Sequence, residues 1–218
     1  MKVEREFNSE YDFMKKYGRK YPKHKLDTDY HPSSTAEIQQ MKYASNNLKY
    51  YDIYESLVNK LLELGFDIGC NILDVASGYY PAFGYEIAGR QLQLNKGNVT
   101  CIDPNLVVDT PFHKNVKLTK DSFTKSYDIS NYDLIVSSLP CEVSLELFEL
   151  LMKTQKSFFV YPCNCSYHIF KNNSTKLFWV DLFYYCIEYE RINSIESNVR
   201  FEMFENNFSS KRAIIYKK

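Results

Sequence analysis

Three aspartates, each at or just past the end of an apolar run, are the residues whose type and spacing could do chemistry. Asn71-Ile72-Leu73-Asp74-Val75 leads into Ala76-Ser77-Gly78, Val99-Thr100-Cys101-Ile102 ends at Asp103, and Val116-Lys117-Leu118 is followed by Asp121-Ser122-Phe123. A glycine such as Gly78, without a Cβ, lets a ligand approach the backbone closely. Strand, tight turn, helix, strand, acid is the ground plan of a parallel α/β domain that binds a nucleoside. A dinucleotide site would want G-x-G-x-x-G, and the three positions here hold Ala76, Gly78 and Pro81. No G-K-S or G-K-T follows the strand, which excludes a P-loop.

A second group follows the apolar run that ends at Ser137-Ser138. Ser137, Ser138, Pro140, Cys141 and Glu142 are the candidates for a base or nucleophile, with Cys141 and Glu142 the catalytic candidates. Pro162-Cys163 makes a second Pro-Cys pair after the next strand. Each has a plainer reading, since proline ends strands, buried cysteine fills space and a glutamate suits a helix's first turn.

These groups need a scaffold, and the patterning supplies one. The apolar run without alternation at about 71–75 reads as a strand buried on both faces, and further strands are read at about 98–102, 132–138 and 157–161, with a weaker one at 116–118. Helical spacing appears at about 35–49, 51–64 (stopped by Gly65), 82–94, 142–154 and 175–189. The runs 199–204 and 213–216, split by a polar turn, read as an antiparallel hairpin at the sheet edge. The order predicts an α/β fold: a mostly parallel seven-stranded sheet with helices on both faces and an antiparallel C-terminal hairpin. Residues 1–64 form an N-terminal polar arm and helices, either part of the same compact unit or a lid. Residues 65–218 form the Rossmann-like domain.

Composition narrows the class. At 218 residues and 44% hydrophobic, the chain has enough apolar material for a full core. Lys+Arg and Asp+Glu balance at 27 each, so no global basic field announces nucleic acid. Lys15-Lys16-Tyr17-Gly18-Arg19-Lys20-Tyr21-Pro22-Lys23-His24-Lys25 is a local basic, tyrosine-interleaved arm that would touch phosphates, or else an ordinary solvated extension. Six scattered cysteines match no zinc spacing, so no metal is expected. A charged N-terminus without a signal h-region, and no apolar stretch long enough for a bilayer, predict a cytoplasmic protein with reduced thiols and no membrane contact.

Asp74-Val75-Ala76-Ser77-Gly78 resembles the D-x-G-x-G turn of class I S-adenosylmethionine-dependent methyltransferases, with Ala76 in place of the first glycine. Asp103 looks like that family's ribose-binding acid, the segment from Asp121 is similar to the one beside the adenine, and 133–138 resembles the fourth strand. The likeness covers roughly residues 50–218. It implies S-adenosyl-L-methionine as cofactor, held by Asp74, Ala76, Ser77, Gly78, Asp103, Pro104, Asp121, Ser122, Phe123 and Ser137. Asp74 would reach the methionine amino group, Asp103 the ribose, Asp121 the adenine amino group, and Phe123 would pack on the ring. Ser138-Leu139-Pro140-Cys141 does not match the [Asp/Asn]-Pro-Pro-aromatic loop of adenine-amino methyltransferases. Pro140-Cys141 looks like the nucleophile pair of pyrimidine C5 methyltransferases, whose other motifs are missing. The expectation is therefore a methyltransferase of unknown acceptor with a lean to RNA. The alternatives are a non-catalytic methyltransferase-like binding or scaffold protein, a small-molecule methyltransferase and a nucleotide-binding dehydrogenase.

Overall fold

The computed structural model describes residues 51–106, 110–140, 143–162, 178–196, 198–204 and 212–218. Their helices are α1 (Tyr51–Glu63), α2 (Ala82–Leu94), α3 (Ser144–Thr154) and α4 (Phe178–Ile192). The strands are β1 (Asn71–Val75), β2 (Asn98–Ile102), β3 (Val116–Thr119), β4 (Leu134–Ser138), β5 (Ser157–Tyr161), β6 (Arg200–Phe204) and β7 (Arg212–Lys217). The expected helix at 35–49 and the basic arm Lys15–Lys25 lie outside the described residues, as do Cys141, Glu142 and Cys163.

The seven strands form one sheet in the order β3-β2-β1-β4-β5-β7-β6. Pairings from β3 through β5 are parallel, while β7 runs antiparallel to both β5 and β6. The expected hairpin is present, but β7 inserts between β5 and β6, so the first hairpin strand is the edge. This is the mostly parallel, Rossmann-like sheet that the strand pattern predicts. The order runs outward from β1 to β3 on one side and from β4 to β5 on the other. The join between β1 and β4 is therefore the topological switch point, where open α/β sheets bind ligands beyond the strands' carboxyl ends.

Side chains alternate across the sheet into two cores. Ile72, Val99, Cys101, Leu134, Val136, Phe159, Tyr161 and Ile214 share one with Leu57, Val58 and Leu61 of α1 and Phe83, Tyr85 and Ile87 of α2. Leu73, Val75, Ile102, Ile135, Phe158, Val160 and Ile215 share the other with Leu147 and Leu151 of α3 and Leu182 and Cys186 of α4. A strand covered on both faces has no solvent side, which is why β1 and β4 read as unbroken apolar runs.

The boundaries have local causes. Gly65 adopts φ 77° after α1, and the amides of Gly65 and Phe66 bond back to Leu62 and Leu61. Asn95 closes α2 in the left-handed region. β4 begins at Leu134 rather than 132, because the Tyr132 amide turns back to Ile129 and Asp133 is bonded to Asn71 at the start of β1. The last helix is described over Phe178–Ile192 and runs three residues past the end its pattern suggested, while 175–177 lie outside the described residues.

Between α4, β7 and the end of α3, an ion pair is buried. Lys217 Nζ lies 3.4 Å from Glu190 Oε1, with side-chain exposures of 7% and 1%. Gln155 Oε1 accepts a second bond from the ammonium. Removing one member of such a pair strands the other charge. Lys217→Met is therefore expected to lower unfolding free energy by about 3 kcal/mol. Lys217→Met with Glu190→Leu should recover much of the loss, and urea denaturation of the three proteins checks both statements.

Candidate active site

β1 delivers the first acid. Alternation sends the Asp74 side chain to the same face as Ile72, beneath the first turn of α2. The carboxyl is 1% exposed, and among the described residues neither oxygen has a hydrogen-bond partner. Gly84 makes room for it: a Cβ there would stand 2.9 Å from Asp74 Oδ2 and 2.4 Å from Cys101 Sγ. Burial pushes the Asp74 carboxyl up to about 8; the nearby Gly84 amide opposes the shift without closing a bond, and the Asp103 charge adds to it. Burial also raises the adjacent Cys101 thiol, which fits a packing role better than a reactive one.

The turn after β1 is held in unusual backbone geometry. Ala76 sits at φ 53° and Gly78 at φ 78°. The first is the position where the resembled motif carries glycine, and an alanine there bears steric cost because its Cβ crowds the carbonyl oxygen. The Ser77 amide bonds to the Ile102 carbonyl at 3.2 Å. A Cβ built on Gly78 would meet nothing within 4 Å among the described residues.

Asp103 locks this turn to the next one. Its Oδ2 accepts the Gly78 amide at 3.0 Å and its Oδ1 accepts the Asn105 amide at 2.8 Å. An ionised carboxylate has about four lone-pair sites, so two remain available. Pro104 lies exposed in the turn that follows. Beyond β3, Asp121 and Ser122 are exposed, with Asp121 Oδ1 accepting the Ser122 amide at 2.7 Å. Phe123 is 5% exposed and packs in the second core, its ring 5.6 Å from Tyr127.

At the other side of the switch point, Ser137 is buried and donates its hydroxyl to the Val75 carbonyl at 2.6 Å. It acts as a clamp between the ends of β1 and β4. Leu139 then takes φ 60°, and its amide bonds to the Tyr161 carbonyl at 2.7 Å. A second non-glycine residue in the left-handed region thus marks the exit of β4, as Ala76 marks that of β1. Strained backbone of this kind gathers at functional sites.

The structure therefore brings Asp74, Ala76, Ser77, Gly78 and Asp103 together and places the Asp121 segment two strands along from β1. It also draws attention to three hydroxyls, two of them on residues named from the sequence, Ser77 and Ser138, and one on Thr119, which pattern reading passed over. Ser77 Oγ, Thr119 Oγ1 and Ser138 Oγ are buried without hydrogen-bond partners among the described residues. With the Asp74 carboxyl, they lie at or just past the carboxyl ends of β1, β3 and β4. Buried polar atoms ordinarily find partners, so each of these calls for one.

Solved structures similar to this chain are methyltransferases. The plantazolicin methyltransferase BpumL, in complex with S-adenosylhomocysteine, is 12% identical over 85% of this chain and 91% of its own, with a TM-score of 0.45. A putative class I S-adenosylmethionine-dependent methyltransferase from Listeria monocytogenes is 14% identical over 95% and 79%, with a TM-score of 0.48. Human N-acetylserotonin methyltransferase, in complex with S-adenosylmethionine, is 14% identical over 95% and 66%, with a TM-score of 0.44. No protein-family model and no curated protein sequence matches the chain.

Two stability measurements test this geometry. An unfolded aspartate titrates near 3.9, and Asp74 in the fold does so at about 8. Between those values the folded state holds the extra proton, so Asp74 makes stability fall as pH rises through that window. Asp74→Asn is expected to be more stable than wild type by a margin that grows from about pH 4 to about pH 8, reaching on the order of a few kcal/mol. Ala76→Gly should raise unfolding free energy by about 1 kcal/mol by relieving φ 53°. Urea denaturation at a series of pH values reads both.

Proposed function

We propose that this chain is an S-adenosylmethionine-dependent methyltransferase whose cofactor site lies at the carboxyl ends of β1, β2 and β3. The observation that carries the reading is the buried Asp74 carboxyl without a hydrogen-bond partner among the described residues, under a turn that Asp103 ties to β2. The residues present fit the group. Asp103 keeps lone pairs for two vicinal hydroxyls, Asp74 offers a negative charge to a cationic ligand, and Gly78 leaves the backbone approachable. Asp121 and Ser122, exposed beyond β3, would hold the base.

When bound, S-adenosylmethionine supplies a methyl group on an electrophilic sulfonium. Catalysis of its transfer rests chiefly on holding the nucleophile in line, so the chain's task is orientation. The Ser137 clamp and the Asp103 lock fix the two turns relative to one another before a ligand arrives, and no reorganisation is then needed on binding. For an acceptor that must lose a proton, Cys141 and Glu142 are the candidate bases by position in the chain. We place RNA first among acceptors, a choice supported by the basic arm Lys15–Lys25.

Calorimetry with S-adenosylhomocysteine tests the site. Binding is expected to wild type, with Asp103→Ala weakening it by roughly tenfold to a hundredfold, the worth of two charge-assisted bonds. A protonated Asp74 must release its proton to pair with a cationic group, so wild-type affinity should rise between about pH 6 and about pH 8 more steeply than that of Asp74→Asn. Absence of binding, or binding indifferent to both substitutions, sinks the cofactor reading. Methyl incorporation from labelled S-adenosylmethionine into total RNA tests the acceptor, and incorporation confined to protein or small molecules overturns the RNA choice.

A further inference from the structure

β6 is the last strand of the sheet order, so one side of its backbone has no partner within that sheet. An open edge is a template for another strand. Phe201 and Met203 are 44% and 42% exposed on it. Phe201 belongs to an aromatic corner, its ring 4.9 Å from Phe183 and 5.5 Å from Trp179 of α4. Tyr184, 66% exposed, stands beside Phe183. The opposite face of the strand carries Arg200 and Glu202. Glu202 accepts from Lys60 of α1 at 2.8 Å, while Arg200 is exposed and makes no ion pair among the described residues.

Charges on an edge usually discourage pairing. Here their spacing does the reverse for one partner only. Val199-Arg200-Phe201-Glu202-Met203 is complementary to its own antiparallel image about Phe201. In that register Arg200 faces Glu202 of the other copy twice on one face. On the other face Phe201 meets Phe201, flanked by Val199 with Met203. Moving the two-fold axis to residue 202 sets glutamate against glutamate, and moving it to residue 200 sets arginine against arginine. Directly opposed like charges destabilise a strand pair and opposite charges stabilise it. Only the Phe201-centred register satisfies both faces.

We propose that β6 pairs antiparallel with β6 of a second copy about a two-fold axis at Phe201, joining the two sheets into one and covering the aromatic corner. The interface is isologous, with the same patch on both copies. The second copy is the occupant because the charge pattern matches itself, and Arg200 gains from it a carboxylate that no described residue of its own chain supplies.

Sedimentation velocity of the full chain tests the pairing. Wild type is expected to dimerise. Arg200→Glu alone should weaken the dimer by about tenfold or more, because each copy then opposes carboxylate to carboxylate, and Glu202→Arg alone should do the same by opposing cations. Mixing the two variants should restore a heterodimer, since every cross-strand pair is again of opposite sign. Thermal melts of each variant confirm that it folds, and the heterodimer itself shows that neither surface is damaged. A second readout is Phe201→Cys, which the two-fold axis sets opposite its own image within disulfide reach, so mild oxidation should link two copies through that residue, a link wild type lacks. A monomeric wild type, dimers unaffected by either single substitution, or no heterodimer on mixing would each overturn the proposal.

Discussion

Burial of a carboxyl that no described residue pairs is the constraint around which the carboxyl end of this sheet is arranged. Asp74 leaves a central strand that is covered on both faces, so its side chain has no route to water. The protein answers by withholding a side chain at Gly84, by setting the first turn of α2 above the carboxyl, and by raising its proton affinity. A helix N-terminus favours negative charge, but it makes no hydrogen bond here that would complete the carboxyl's shell. A site that keeps such a group without satisfying it is prepared for a ligand carrying positive charge.

The second acid plays a different part, and the difference follows from its surroundings. Asp103 is only part-buried and spends an oxygen on each of two backbone amides, Gly78 and Asn105. It is a lock as much as a ligand. The Ser137 hydroxyl does the same for β1 and β4, on the other side of the switch point. Between them, these two side chains tie together the ends of β1, β2 and β4. The left-handed residues Ala76 and Leu139 sit where the chain must turn out of the sheet, and the surrounding bonds hold them there.

The far edge of the sheet obeys another rule. β7 pairs with both β5 and β6, which leaves β6 as the edge of the sheet among the described residues, beside an aromatic corner. The same antiparallel insertion that ends the parallel sheet thus creates the surface through which the sheet can continue.

What the amino-acid order determined by itself was the plan of elements and the two acids. Burial on both faces of a parallel sheet erases alternation and leaves runs such as 71–75 and 98–102, and a polar residue ending such a run stands out without any coordinates. The turn residues Gly65 and Gly78 were readable for the same local reason, a backbone angle that a side chain resists. The insertion of β7 between β5 and β6 was not readable, because pairing across the sheet depends on non-local hydrogen bonds that leave no local pattern. Nor was the role of Ser137, whose hydroxyl is spent on Val75, 62 residues away in the chain. Gly84 and Cys101 could be seen as residues but not as the walls around Asp74, since only packing α2 onto β1 and β2 brings them together. Tertiary structure alone decided that one aspartate would be a buried, proton-holding group and the other a lock between turns, because solvent exclusion and backbone proximity are properties of the assembled sheet.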